Sequence, residues 1–162
     1  MPIVRHRDPN KCYDLCPFLF WMIIFVAARR YAKQDTMLSF LLDAMKKETS
    51  TAISTFPLTL HHVNALVLLC TWCFPDVRFV TDRTTLYPGI AMNACLLLGI
   101  HLGQGRHKEY TVGQFPNEFT DEEATFTWAG YNIVSQRYTH PFPRPLKWHW
   151  LEIDMPLGFL PA

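Results

Sequence analysis

A chain of 162 residues that is 49% hydrophobic and only 18% charged has a thin polar coat; ordinary soluble domains are roughly 25% charged. Its net charge of +1, with no basic stripe, excludes nucleic-acid binding by phosphate neutralisation through these residues alone. Five cysteines, an odd number, with no Asn-x-Ser/Thr sequon, exclude a fully paired disulfide framework and point to a reducing compartment.

Residues 1–16 read as an N-terminal leader. Its basic residues Arg5, His6, Arg7 and Lys11 are interleaved with Asp8 and Asp14, as in a solvated start to a chain. The run Pro17–Ala28 (PFLFWMIIFVAA) falls short of the roughly 20 apolar residues that span a bilayer. An alternative reading makes residues 17–28 an anchor or a secretory signal, with Val26-Ala27-Ala28 as the cleavage sequence. Asp8, Asp14, Pro17 and the long leader weigh against it. The spacing instead predicts a buried helix from about Phe18 to Lys33, with Arg29, Arg30 and Lys33 as its solvated end.

A second helix opens at Asp35, a good N-cap type, and sets Leu38, Leu41, Leu42 and Met45 on one stripe. Thr49–Pro57 (TSTAISTFP) reads as a Ser/Thr-rich connection. The third helix, Leu60–Phe74, is capped by Thr59 and stopped by Pro75, with Val63, Leu66, Val67, Cys70 and Phe74 on one face. After a polar loop over residues 76–85, the fourth helix runs over Gly89–His101 to a glycine stop at Gly103. The third and fourth helices are apolar nearly all the way round, which requires that other elements wrap them.

Residues 104–117 read as a loop. Thr120-Asp121-Glu122-Glu123 then forms a capping box that starts a fifth helix, with Phe126, Ala129, Gly130, Ile133 and Val134 on one side. Residues 139–162 carry five prolines, together with Trp148 and Trp150, and predict an extended tail. Strand signals are sparse. The fold class is therefore all-α: a multi-helix, bundle-like fragment of a larger helical regulatory domain, residues 17–138, followed by the Pro-rich tail. So much apolar helix in so short a chain implies burial against further parts of a larger body or against a partner.

No catalytic, cofactor or metal site emerges from the spacing. Cys12/Cys16 and Cys70/Cys73 have four sulfurs, but Cys70 and Cys73 lie inside an apolar helix, where cysteine acts as a small hydrophobe. His61 and His62 are adjacent, so they point about a third of a turn apart, and read as a solvated helix start. Asp121, Glu122 and Glu123 suit a helix's first turn. The stretch Gln104-Gly105-Arg106-His107-Lys108 lacks the glycines of a phosphate loop. Trp72 and Trp128 are candidates to line a small-molecule effector cavity, although helical aromatics more often fill core. His101 reads as a C-terminal helix residue favoured by the dipole, with an effector contact second.

Several segments occur together in a recognisable order: Pro17-Phe18-Leu19-Phe20-Trp21; Ala27-Ala28-Arg29-Arg30-Tyr31; Ala65-Leu66-Val67-Leu68-Leu69-Cys70-x-Trp72-x-Phe74-Pro75; Gly89-x-Ala91-x-x-Ala94-x-x-Leu97-x-Gly99-Ile100-His101; Thr127-Trp128-Ala129; and Ser135-Gln136-Arg137. The ordered set resembles the middle regulatory domain of fungal binuclear zinc-cluster transcription factors, most of all members that regulate branched-chain amino acid synthesis and the weak-acid response. The resemblance implies an all-α domain between a zinc cluster and an activation segment, in the nucleus. It implies that the domain restrains activation, senses small effectors and supports homodimers. The six-cysteine cluster itself has no counterpart here, and Leu102 stands where a basic residue usually follows. The chain is therefore expected to be a truncated regulator whose partners are the remainder of a larger factor or a homodimer mate. It is expected to meet DNA only through a zinc cluster outside this sequence, and to meet no membrane.

Overall fold

Two prolines eight residues apart, Pro9 and Pro17, each one residue after a helix-capping position, start the fold. The computed structural model describes residues 8–30, 35–55, 57–74, 86–103 and 119–139. Pro9 opens α1 (Pro9–Leu15), with the Asp8 carboxylate accepting from the Asn10 amide at 3.0 Å. Pro17 opens α2 (Pro17–Arg30). There follow α3 (Asp35–Ser54), α4 (Leu60–Thr71), α5 (Tyr87–Leu97), a 3-10 turn (Ile100–Leu102) and α6 (Asp121–Thr139). Among the described residues the structure is helical, with no strand, as the sparse strand signals require. Lys33, the loops at 76–85 and 104–117, and the proline-rich stretch from 140 onward lie outside the described residues.

Helix directions follow from which residues meet. Phe18 and His62, at the starts of α2 and α4, have ring centroids 6.3 Å apart, and Phe25 and Phe74, towards their ends, lie 5.5 Å apart. The two helices therefore run the same way. Asn64 meets Thr127, and Cys70 meets Tyr138, so α6 shares that direction. The chain returns in between: Cys16, before α2, feels the Glu48 carboxylate late in α3. Likewise Cys95 lies by Tyr131 while His101, further along, lies by Trp128. The result is an up-down alternation in which α3 packs on α2, α2 on α4, and α4 on both α5 and α6.

Helix α4 sits at the centre. Leu60, Val63, Ala65, Leu66, Leu68, Leu69 and Cys70 are all buried, which covers nearly its whole circumference. The expectation that other helices must wrap it holds. The stripe Leu41, Leu42 and Met45 on α3 is buried as the spacing requires, and Leu38 packs against the same core. The core also takes Phe18, Leu19, Met22 and Phe25 from α2. At 14 residues α2 is about 21 Å long, short of a hydrocarbon core of about 30 Å. No helix among the described residues is long and apolar enough to cross a membrane.

Several expectations need correction. Residues 9–15, read as leader, form α1; at two turns it is too short for periodicity to reveal, and only the Asp8-Pro9 pair marks it. The Ser/Thr-rich stretch is not a connection, because α3 continues to Ser54. Hydroxyls of Thr49, Thr51, Ser54 and Thr55 each donate to the carbonyl four residues back, at 2.7, 3.1, 2.7 and 2.9 Å. Helix α5 stops at Gly99 rather than Gly103: Gly99 has φ 69°, the left-handed conformation that ends a helix without steric cost. Nor is α5 wrapped on every side, since Leu97 is 57% exposed.

Helix α6 shows the largest difference. Its buried side is Ala124, Thr127, Tyr131 and Val134, while Phe126, Ala129 and Ile133 face outward. Of the side expected to pack, only Val134 is buried. Two apolar stripes compete on this helix, and the hydroxyls of Thr127 and Tyr131 made the inner one look polar. The capping box forms as expected: the Thr120 amide donates to the Glu123 carboxylate at 2.7 Å, and the Glu123 amide donates to Thr120 Oγ1 at 3.2 Å.

Candidate functional site

The polar chemistry of the described residues gathers where α4 meets its neighbours. Along the α4–α6 seam, Thr127 Oγ1 donates to Asn64 Oδ1 at 2.9 Å. One turn on, Gly130 leaves room for Val67, whose Cγ1 would lie 3.6 Å from a Cβ at that position. Two turns further, Tyr138 donates its hydroxyl to the Cys70 carbonyl at 2.9 Å, and the Cys73 sulfur lies 2.8 Å from the Tyr138 hydroxyl oxygen. These contacts fix the register of two otherwise apolar surfaces, because a slip would leave Asn64 and Thr127 unmatched.

At the end of α2, Arg29 reaches the chain just past the C-cap of α4. Its Nη1 donates to the Cys73 carbonyl at 2.8 Å, and its guanidinium stands 5.9 Å from the centre of the Phe25 ring. Arg29 is therefore half-buried and engaged, in contrast to its expected place at a solvated helix end.

His62 is also not solvated. It occupies the third position of α4, where a capping box ordinarily uses Glu or Gln. Its Nδ1 lies 3.3 Å from the Thr59 amide, which donates to it, and 2.8 Å from Thr59 Oγ1. Accepting from the amide requires an unprotonated Nδ1. Burial, and secondarily the neighbouring His61, hold the His62 imidazole below its ordinary value of 6.5. The folded state thus binds fewer protons than the unfolded one. The cap contributes fully above about pH 6.5, and its contribution is lost as pH falls through the lowered folded value. We expect thermal melts between pH 7.5 and pH 5 to show a loss on the scale of an N-cap, about 1 kcal/mol, or roughly 2–4 °C. His62→Gln, which keeps an acceptor but cannot titrate, should remove that part of the pH dependence; equal slopes in both proteins would refute the assignment.

Of the three candidate effector-lining residues, the structure brings two together. Trp128 lies between His101, at 6.3 Å and edge-on, and Tyr131, stacked at 5.6 Å. His101 is on the 3-10 turn after α5 rather than in the helix's last turn, so the expected dipole contact is replaced by an aromatic one. Trp72 is elsewhere: it is the 43% exposed C-cap of α4, whereas Trp128 is next to Thr127, level with Asn64 near the start of α4.

The buried thiols and the Tyr131 hydroxyl are held in their protonated forms. Burial pushes the Cys95 thiol up to about 12, and burial with the nearby Cys95 pushes the Tyr131 hydroxyl up to about 12. Burial raises Cys12 and Cys16 as well. Thiols held protonated in this way are inert packing groups. Among the described residues no three His, Cys, Asp or Glu side chains converge as metal ligands. Sequence reading missed Asn64, Thr127, Tyr138 and Arg29, because each acts through a partner 44 to 68 residues away.

In sequence, the chain is similar to proteins named as transcription factors. No protein-family model matches the chain, and no solved structure does. It is similar to the transcriptional regulatory protein SEF1 of Candida albicans, 25% identical over 125 residues, or 77% of this chain and 13% of that protein. It is also similar to the putative transcription factor SEF1 of Kluyveromyces lactis, 26% identical over 136 residues, 83% of this chain and 12% of the relative. The Saccharomyces cerevisiae protein of the same name is 26% identical over 130 residues, 80% of this chain and 11% of its own length. The chain thus spans about an eighth of the length of the curated relatives it matches.

Proposed function

We propose that this chain is part of the helical regulatory region of a fungal transcription factor and acts in the nucleus. Its similarity over about four fifths of its length to proteins named as transcription factors carries the reading. The structure supports a role through packing rather than through turnover. Its central helix is apolar, its thiols are held neutral, and its polar contacts set helix register. The relatives' length fits the expectation that a DNA-binding zinc cluster and an activation segment belong to other parts of a full regulator. The exposed Leu86 and Leu97 on the outer side of α5 suit packing against such parts.

Regulation in this reading is a shift between two packings of the helices, biased by whatever binds one packing better. The Trp128, His101 and Tyr131 cluster, where the 3-10 turn meets α6, is the place we assign to a small apolar effector. Trp72 is too far along α4 to share it.

A reporter assay tests the function. The chain is placed between an unrelated DNA-binding module and an activation segment, and output is compared with a direct fusion. Reduced output that returns on Trp128→Ala supports a regulatory domain with its switch at this cluster. Unchanged output with the folded chain in place would overturn the regulatory reading, and a fluorescent fusion excluded from nuclei would overturn the compartment.

A further inference from the structure

One side of α2 breaks the rule that a surface helix turns polar groups to solvent. Met22 and Phe25 are fully buried, and on the opposite side Pro17, Phe20, Trp21, Ile24 and Ala27 share one outward stripe. Pro17, Trp21 and Ala27 are exposed, and Phe20 and Ile24 are half-buried. No Asp, Glu, Lys or Arg interrupts the helix before Arg29. From Pro17 to Ala27 this bare track is about 15 Å long. Tyr13 of α1 extends it, 44% exposed and edge-on to Phe20 at 5.4 Å, and Phe20 in turn stands edge-on to Trp21 at 5.4 Å. A continuous apolar track of this kind marks a docking surface.

The chain carries a segment that fits the track. Tyr138, one residue before the end of α6, has its hydroxyl 2.8 Å from the Cys73 sulfur, and Arg29, at the end of α2, bonds the Cys73 carbonyl at 2.8 Å. Residues from 140 onward therefore leave α6 at the end of the bundle where the track also ends. Helices α2 and α6 both pack on α4, so they are at most two helix spacings apart, about 16–20 Å. Residues 140–145 (HPFPRP) have proline at every second position; six residues of polyproline helix span about 19 Å, enough to cross the end of α4. Beyond them Leu146, Trp148 and Trp150 alternate with Lys147 and His149, the pattern of an extended segment with one apolar side. Its length from 146 to 150 is about 13 Å, close to that of the track. The tether also supplies an effective concentration on the order of mM, so a contact too weak to hold a separate partner is enough to seat it.

We propose that the outer side of α2 is the seat of the chain's own residues 146–150, laid antiparallel to the helix with Leu146, Trp148 and Trp150 against Ile24, Trp21 and Phe20. The seat goes beyond the regulatory reading and stands whether or not that reading holds.

Limited trypsin digestion of the complete 162-residue chain tests it, because Lys147 is followed by Trp148 and is open to cleavage, whereas Arg144 is shielded by Pro145. A seated segment cannot enter a protease cleft, so cleavage after Lys147 follows the released fraction. Trp21→Asp should speed that cleavage about tenfold or more, with helix content by circular dichroism unchanged. Leu146→Ser combined with Trp150→Ser should do the same while leaving every helix intact. Ile133→Asp, on the outward side of α6, should not. Cleavage as fast in the parent as in the Leu146/Trp150 variant, or unchanged by Trp21→Asp in a folded protein, would overturn the proposal. So would protection that fades on dilution, which assigns the track to a second copy.

Discussion

Replacing Leu66 by alanine should destabilise the chain by about 2–5 kcal/mol, a large share of the roughly 5–15 kcal/mol that holds a domain folded. Leu66 is fully buried on α4, the helix that α2, α5 and α6 all touch. Removing its branched end opens a void that no single neighbour can fill, because each is also held by other contacts. Urea unfolding should show a lower midpoint with an unchanged slope. Leu66→Met, which nearly conserves volume, should cost under about 1.5 kcal/mol. A Leu66→Ala protein as stable as the parent would mean that α4 is not enclosed.

Phe25→Ala should cost about 3–5 kcal/mol, for more than one reason. The ring is fully buried on α2, and its edge-on contact with Phe74 joins α2 to the chain just past α4. That geometry adds about 0.5–1.5 kcal/mol beyond the area buried. The same ring supports Arg29, whose guanidinium holds the Cys73 carbonyl. Phe25→Leu separates the terms: it fills most of the volume and should lose only the aromatic part, about 1 kcal/mol. A double-mutant cycle with Arg29→Met would then measure the coupling between ring and cation. No coupling would reduce Arg29 to a bystander.

How much of this was legible beforehand depended on the range of the signal. The Thr120–Glu123 box and the all-round burial of α4 were readable because each is written within a dozen residues. The end of α3 was misread because serine and threonine hydroxyls serve either to stop a helix or to fold back on its carbonyls, and sequence does not distinguish the two. Gly103 reads as the stop of the fourth helix, yet Gly99, four residues earlier and also with positive φ, is the one that ends α5.

The inner side of α6 was hidden for a different reason. Thr127 and Tyr131 look polar in a one-dimensional pattern, yet Thr127 finds Asn64 on another helix, and Tyr131 lies against Trp128. A hydroxyl satisfied by a distant partner counts as core, and periodicity has no term for that. The site is legible in the sequence only in outline: Trp128 stands out as an aromatic and His101 as a helix-end residue, but that they meet, and that Trp72 does not join them, depends on the helix directions.

The central position of α4 has a consequence for synthesis. As the chain leaves the ribosome, α2, backed by α3, is available to shelter one flank of α4 as it emerges. The other flank waits for α5 and α6, the latter starting 50 residues after the end of α4. Through that interval a segment without a single Lys, Arg, Asp or Glu stands half bare. Nascent products that stop short of α6 should therefore precipitate or be captured by chaperones, whereas those that reach Thr139 escape.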